Sequence, residues 1–400
     1  MRVERIASPL TAPALRRLVR INAVSFLAQI VQIGTVPALM ALRLNAAHHS
    51  ALIVGVVAGA PWLAILLVGH LAPAILSRCG FIKTNRIALA LSALALLCAL
   101  PATDPLLLFA TNFVFGIGLI LRWVACDTWI VKVAPESIRG RAIGSHETLM
   151  GCGIAAGPLL ILVAGYAGPW PIVSCIGLLV LSATVLFTLA DSDAHPEVAT
   201  RAQRLATVRI VPTALMAGLL AGVVETSSIS FLPVLSDRHL LALGVTAVLG
   251  GFGAGGTLLQ IPLGWVADTA GFRRAQLVTA LIVGAGALSL PLVGHYPWLL
   301  FAVLFIWGGA AGGMNTLAVI EVGKRIGAAG MSTGLMAVAL AYTVGSVSGP
   351  VLTGWAMAWF PNRGLAIVVA VAVAMFFVVW AATALTLPRL QLKGVMTTRQ

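Results

Sequence analysis

Charge is what this sequence has least of. Asp and Glu together number 12 in 400 residues, and all charged residues make up 9%, against about 25% in soluble domains. So little charge cannot coat a water-facing surface. With 60% hydrophobic residues and a mean hydropathy of +1.03, the chain reads as a polytopic membrane protein. Cysteine is also scarce. Cys79, Cys98, Cys126, Cys152 and Cys175 show no Cys-x-x-Cys spacing and four lie in apolar runs, which excludes a disulfide framework and a metal site. His48-His49 brings no further ligands. No metal and no cofactor is expected. The glycine run Gly250 to Gly256 lacks the lysine of a phosphate loop and reads as close helix packing. No His/Asp/Glu cluster converges on one face, which argues against a membrane-embedded transferase. A sensor without flux would bring a large cytoplasmic domain, and only a short basic tail follows Leu387. The first apolar run, from about Leu18 to Leu42, is too long for a signal h-region, so no cleavable signal peptide is expected.

Long apolar runs are abundant. A span needs about 20 such residues, and twelve candidates emerge: 17–42, 50–75, 85–101, 106–131, 145–166, 170–190, 208–235, 243–267, 275–294, 298–322, 331–358 and 364–387. The longest polar interruption, Asp191 to Arg209, reads as a cytoplasmic linker. It separates an N-terminal six-helix bundle (1–190) from a C-terminal one (210–400). With the N-terminus inside, Lys and Arg number 21 on inner segments and three on outer ones (Arg43, Arg238, Arg363), leaving Arg122 within a span. This bias places both termini in the cytoplasm. It also accounts for the net charge of +13 without nucleic acid.

The halves repeat. Gly157-Pro158 in the fifth span recurs as Gly349-Pro350 in the eleventh, 192 residues later. Gly264, Asp268, Gly271, Arg273 and Arg274 follow the eighth span as Gly69, Arg78, Gly80 and Lys83 follow the second. Two six-helix repeats are a transporter feature, since alternating access needs two similar bundles about a central site.

At these residues the chain resembles the major facilitator superfamily, over essentially its whole length. The Gly264-x-x-x-Asp268-x-x-Gly271-x-Arg273-Arg274 run matches that family's cytoplasmic loop motif, while in the first half Pro73 stands where the acid is expected. Arg122 resembles the arginine often carried in the fourth helix. Gly153-x-x-x-Gly157-Pro158 resembles the fifth-helix motif of exporters and antiporters, and Arg139-Gly140-Arg141 the link between helices 4 and 5. The resemblance implies an all-α fold of twelve transmembrane helices in two pseudo-symmetric bundles. Helices 1, 4, 7 and 10 would line the cavity of a monomeric carrier of the bacterial inner membrane. The expected function is proton-coupled efflux of a small organic molecule; the rival is import of a sugar or carboxylate.

Arg122 is costly in hydrocarbon, roughly 2.5 to 3.5 kcal/mol at mid-helix, so it is expected to face a partner or a solvated path. A substrate or coupling role and a packing role are both open. Glu225 lies mid-span in the seventh helix, and a carboxylate in a low-dielectric setting can take up and release a proton near neutral pH. The alternative is permanent neutralisation by Arg122 or by nearby hydroxyls. The first span offers Gln29 and Gln32 but no acid. Arg122 and Glu225 are expected to meet across the cavity in at least one state. Trp123 and Asn315, matched between the fourth and tenth spans, complete the candidate substrate residues. At the cytoplasmic side Asp127 is expected to pair with Arg78 or Arg139, and Asp268 to face Gly144, Ser145 and His146 as a gate that includes Arg141, Arg273 and Arg274. Glu147 and Glu321, near Arg141 and Lys324 in sequence, read as structural. Trp129, Trp170, Trp265, Trp298 and Trp359 sit near span ends and read as interface anchors.

Overall fold

The computed structural model describes residues 12–101, 104–135, 138–189, 211–238, 240–326 and 331–397. The expected linker, 191–209, lies outside the described residues. Everything described is helical or turn. Ten helical stretches are long and apolar enough to cross a membrane, and Trp170–Leu186 is a shorter apolar helix. One of the ten, Ala51–Ala99, has 49 residues and is turned at Gly80 (φ 77°, ψ 174°) into two arms that are each long enough to cross. Counted so, the described residues make eleven long crossings, and the shorter helix Trp170–Leu186 brings the number close to the expected twelve.

The chain divides into two compact units, Met1–His49 with Ala60–Val198, and Ser50–Gly59 with Ala199–Gln400. In the first unit α1 (Ala12–Gln29) passes through a π-helical segment, Ile30–Thr35, into α2 (Val36–Ala46). There follow α3 (Ala51–Val68), whose residues up to Gly59 belong to the second unit, and α4 (Ala72–Ala99), α5 (Pro105–Val133), α6 (Arg139–Ala164) and α7 (Trp170–Leu186). The second unit holds α8 (Pro212–Asp237), α9 (Val245–Leu258), α10 (Gln260–Thr269), α11 (Phe272–Val293), α12 (Pro297–Arg325), α13 (Met331–Trp359) and α14 (Gly364–Thr397). The start of α5 is set locally. Pro105 needs no donor partner at the first turn, and Asp104 caps it by accepting from Leu107 N at 2.8 Å.

Glycine decides how closely the helices approach. A Cβ on Gly34 would meet Gly157 Cα at 2.9 Å, so the π-helical segment and α6 touch backbone to backbone. The close approach lets Thr35 Oγ1 donate to Gly157 O at 3.0 Å. In the second unit Gly218, Gly222, Gly345 and Gly349 bring α8 against α13 in the same way, and Gly255 lies on the backbone of Phe305 in α12. The run Gly250 to Gly256 is thus a packing surface.

Both loop motifs turn on a left-handed glycine: Gly80 at φ 77° and Gly271 at φ 88°, a conformation that side chains with a Cβ avoid. Counting back from each turn corrects the sequence alignment. The position matching Asp268 is Ser77, and Pro73 matches Gly264. The first half therefore offers a short hydroxyl where the second half has its acid. Trp129 also departs from expectation. It is fully buried and stacked on Phe81, with ring centroids 5.1 Å apart, because Phe81 begins the arm after the Gly80 turn and faces α5 there. Trp170, Trp265, Trp298 and Trp359 are exposed.

Candidate functional site

Arg122 projects from α5 into the first unit and has 0% of its surface exposed. Its Nε donates to Gln32 Oε1 at 2.7 Å and its Nη2 to Gln29 Oε1 at 2.6 Å. Nη1 lies 3.7 Å from Met150 Sδ. Gln32 in turn donates from Nε2 to Ser92 Oγ at 2.9 Å, linking the π-helical segment to α4. The π-helical turn begins directly after Gln29, and such insertions recur where a helix must re-aim side chains. Of the partner and the solvated path expected for Arg122, the structure shows the partner: two glutamines from the first crossing meet the planar fork of the guanidinium. Trp123, the next residue on α5, is half-buried.

Asp127 does not pair with Arg78 or Arg139. It faces α6, where His146 Nε2 lies 3.1 Å from Asp127 Oδ1, and His146 Nδ1 lies 2.8 Å from Asn22 Oδ1 on α1. Arg78, Arg139, Arg141 and Arg274 are exposed and join no salt bridge among the described residues.

In the second unit Glu225 is half-buried on α8. Tyr342 of α13 donates its phenol hydrogen to Glu225 Oε2 at 2.6 Å. On the other side, Glu225 Oε1 and Gln260 Nε2 lie beside Gly312 of α12, within 3.6 Å of where a Cβ there would stand. Among the described residues Glu225 forms no ion pair. Asn315, one turn along α12 from Gly312, is half-buried. Arg122 and Glu225 thus take their hydrogen-bond partners each from its own unit.

Glu321 was read as a structural acid near Lys324. It is sealed at 0% exposure and pairs with Arg325, Nε to Oε1 at 3.0 Å. Gln276 Nε2 donates to its Oε2 at 2.8 Å and Thr213 Oγ1 donates to its Oε1. Lys324 turns to Asp268 at 3.2 Å, in a pair that is largely exposed. Arg273 was expected in a loop gate. Its guanidinium lies over the Trp380 ring, 5.1 Å from the centroid, and donates to Trp380 O at 3.1 Å. Trp307, deep in α12, packs edge-on against Phe252 and is fully buried.

Tyr342 and Ser92 escaped the sequence reading. Tyr342 carried a signal, as one of only three tyrosines and the one nearest the middle of an apolar span; Ser92 carried none.

Apolar helices long enough to cross a membrane, in two repeated bundles, define a polytopic membrane protein. The chain belongs to the Major Facilitator Superfamily, whose model matches residues 21–342. It is 26% identical over 268 residues to an uncharacterized MFS-type transporter, YfkF, of Bacillus subtilis strain 168, covering 64% of this chain and 67% of that one. Its fold is similar to the crystal structures of the nucleoside transporter NupG (TM-score 0.75, 12% identity, 91% of this chain and 97% of that one) and of a D-xylose-proton symporter (TM-score 0.71, 14% identity, 92% and 97%). The protein is a transporter, not an enzyme.

Proposed function

We propose that this transporter is a monomeric, proton-coupled exporter of a small organic solute in the bacterial inner membrane, with both termini in the cytoplasm. It works by alternating access between its two bundles. Glu225 is the coupling carboxylate. The observation that carries this reading is the company Glu225 keeps: a carboxylate inside an apolar span, half-buried, held by the neutral phenol of Tyr342, with no ion pair among the described residues. A carboxylate neutralised by a fixed cation has no proton to exchange, whereas one held by a neutral donor can bind and release one.

Arg122, Gln29, Gln32, Trp123 and Asn315 are the residues that serve substrate binding and coupling beside Glu225. Asp268, with Asp127, Arg78, Arg139, Arg141, Arg273 and Arg274, controls the cytoplasmic ends. The Gly153-x-x-x-Gly157-Pro158 run favours export. The rival reading is import of a sugar or carboxylate. The nucleoside transporter and the xylose symporter bear on fold alone at 12% and 14% identity.

The test is a solute screen in proteoliposomes with and without a pH gradient, comparing wild type with Glu225→Gln. Gradient-driven flux in wild type, lost in the variant, is expected. A variant with unchanged proton dependence would remove Glu225 from the mechanism, and solute flux running with the proton gradient would reverse the direction.

A further inference from the structure

His146 stands near the start of α6, 2% exposed, and both of its ring nitrogens face oxygen: Asn22 Oδ1 at 2.8 Å and Asp127 Oδ1 at 3.1 Å. Asn22 cannot be turned round to relieve this. Its Nδ2 donates to Leu18 O at 2.9 Å, and exchanging the two amide atoms would set oxygen against oxygen. Asn22 Oδ1 is therefore an acceptor, and His146 Nδ1 carries a hydrogen. A neutral imidazole then has a bare lone pair at Nε2, aimed at a carboxylate oxygen. Two acceptors in contact repel, and one added proton turns that repulsion into a charge-assisted hydrogen bond.

We propose that His146 and Asp127 form a proton-binding pair, imidazolium against carboxylate, that ties α6 to α5 and to Asn22 of α1. The step is simple protonation. Hydronium gives up a proton to the Nε2 lone pair, one N–H bond forms on the ring, and a water molecule is left. Asp127 is 39% exposed and gives water access to the ring sealed behind it. On release the two acceptors face each other without a hydrogen, and the tie between α5 and α6 opens. The charged groups close by are Asp127 and Arg122 on α5 and Glu147 on α6; α1 presents neutral Asn22, and α7 carries no charged residue.

This site is separate from Glu225 and needs no transport assay. The test is nitrogen NMR of the full chain, labelled with 15N-histidine in nanodiscs, from about pH 5 to 8, where histidine charge changes are read. His146→Gln identifies the resonance by its loss. Ser145-His146, the only Ser-His pair in the sequence, assigns it in wild type should that variant not fold. Two protonated ring nitrogens at the acidic end are expected for His146. In Asp127→Asn an amide hydrogen can satisfy a neutral ring, and the doubly protonated form should be lost over that range. A single protonated nitrogen in wild type at about pH 5, or a titration unmoved by Asp127→Asn, overturns the proposal.

Discussion

Tyr342 and Glu225 meet through a 2.6 Å hydrogen bond between two helices, α13 and α8, whose backbones are drawn together by Gly218, Gly222, Gly345 and Gly349. The short bond depends on that close approach. Hydrogen bonds to a charged group contribute about 1.5–3 kcal/mol, or roughly ten- to a hundred-fold in an equilibrium. Tyr342→Phe keeps the ring and removes the hydroxyl that donates to Glu225. It should therefore leave folding intact and lower gradient-driven flux about ten-fold or more, measured in proteoliposomes at matched protein content. Wild-type flux in this variant would mean that the phenol merely packs.

The spans and the repeat were legible because hydrocarbon imposes a simple rule on composition. The high cost of Arg122 was legible for the same reason, but its partners were not. Gln32 and Gln29 lie 90 and 93 residues away, and their approach depends on a π-helical turn that no local pattern announces. Asp127 was assigned to loop arginines by charge alone, whereas helix packing brings His146, 19 residues on, to it first. The shift from Pro73 to Ser77 emerged once backbone angles showed which glycine makes the turn. Pairings between distant polar residues are set by how helices pack, and composition does not report that.

Removing the charge of Arg122 should uncouple stability from transport. Arg122→Leu leaves two sealed glutamine oxygens without donors, and each orphaned buried group costs about 1–3 kcal/mol. A clear drop in the thermal unfolding midpoint is expected. Adding Gln29→Leu and Gln32→Leu removes the orphaned groups and should recover much of that loss, since an apolar replacement of a whole buried cluster is often near neutral. Transport should stay absent in the triple variant. Full stability in Arg122→Leu alone would show that water reaches the cluster.

Gly157→Ala and Gly177→Ala should move stability in opposite directions. The first puts a methyl group into the backbone of Gly34, and overpacking of this kind costs about 1–3 kcal/mol. The second meets nothing within 4 Å. An exposed helical glycine replaced by alanine gains up to about 1 kcal/mol from helix propensity. Thermal unfolding of both variants in one detergent reads the two signs side by side.

Glu321 is held by Arg325, Gln276 and Thr213 and has no exposed surface. Truncating one partner of a sealed pair costs about 3–5 kcal/mol, because the other charge is left uncompensated. Glu321→Ala should accordingly unfold at markedly lower temperature, while Glu321→Gln, which keeps one acceptor for Thr213 and Gln276, should lose less. Equal losses would assign the whole effect to charge.

Asp268 and Lys324 invite the opposite expectation. Their side chains are 72% and 43% exposed at a separation of 3.2 Å, and pairs open to water contribute about 0–1 kcal/mol, screened further by salt. Lys324→Gln should leave the unfolding midpoint and transport close to wild type. Asp268→Asn should match it in stability, because the same weak pair is broken. If Asp268 also acts in the cytoplasmic gate, its variant alone should lose transport. The comparison separates the two roles of the carboxylate: equal transport in both variants confines Asp268 to its pair with Lys324, and a selective loss in Asp268→Asn assigns it a contact that Lys324 does not share.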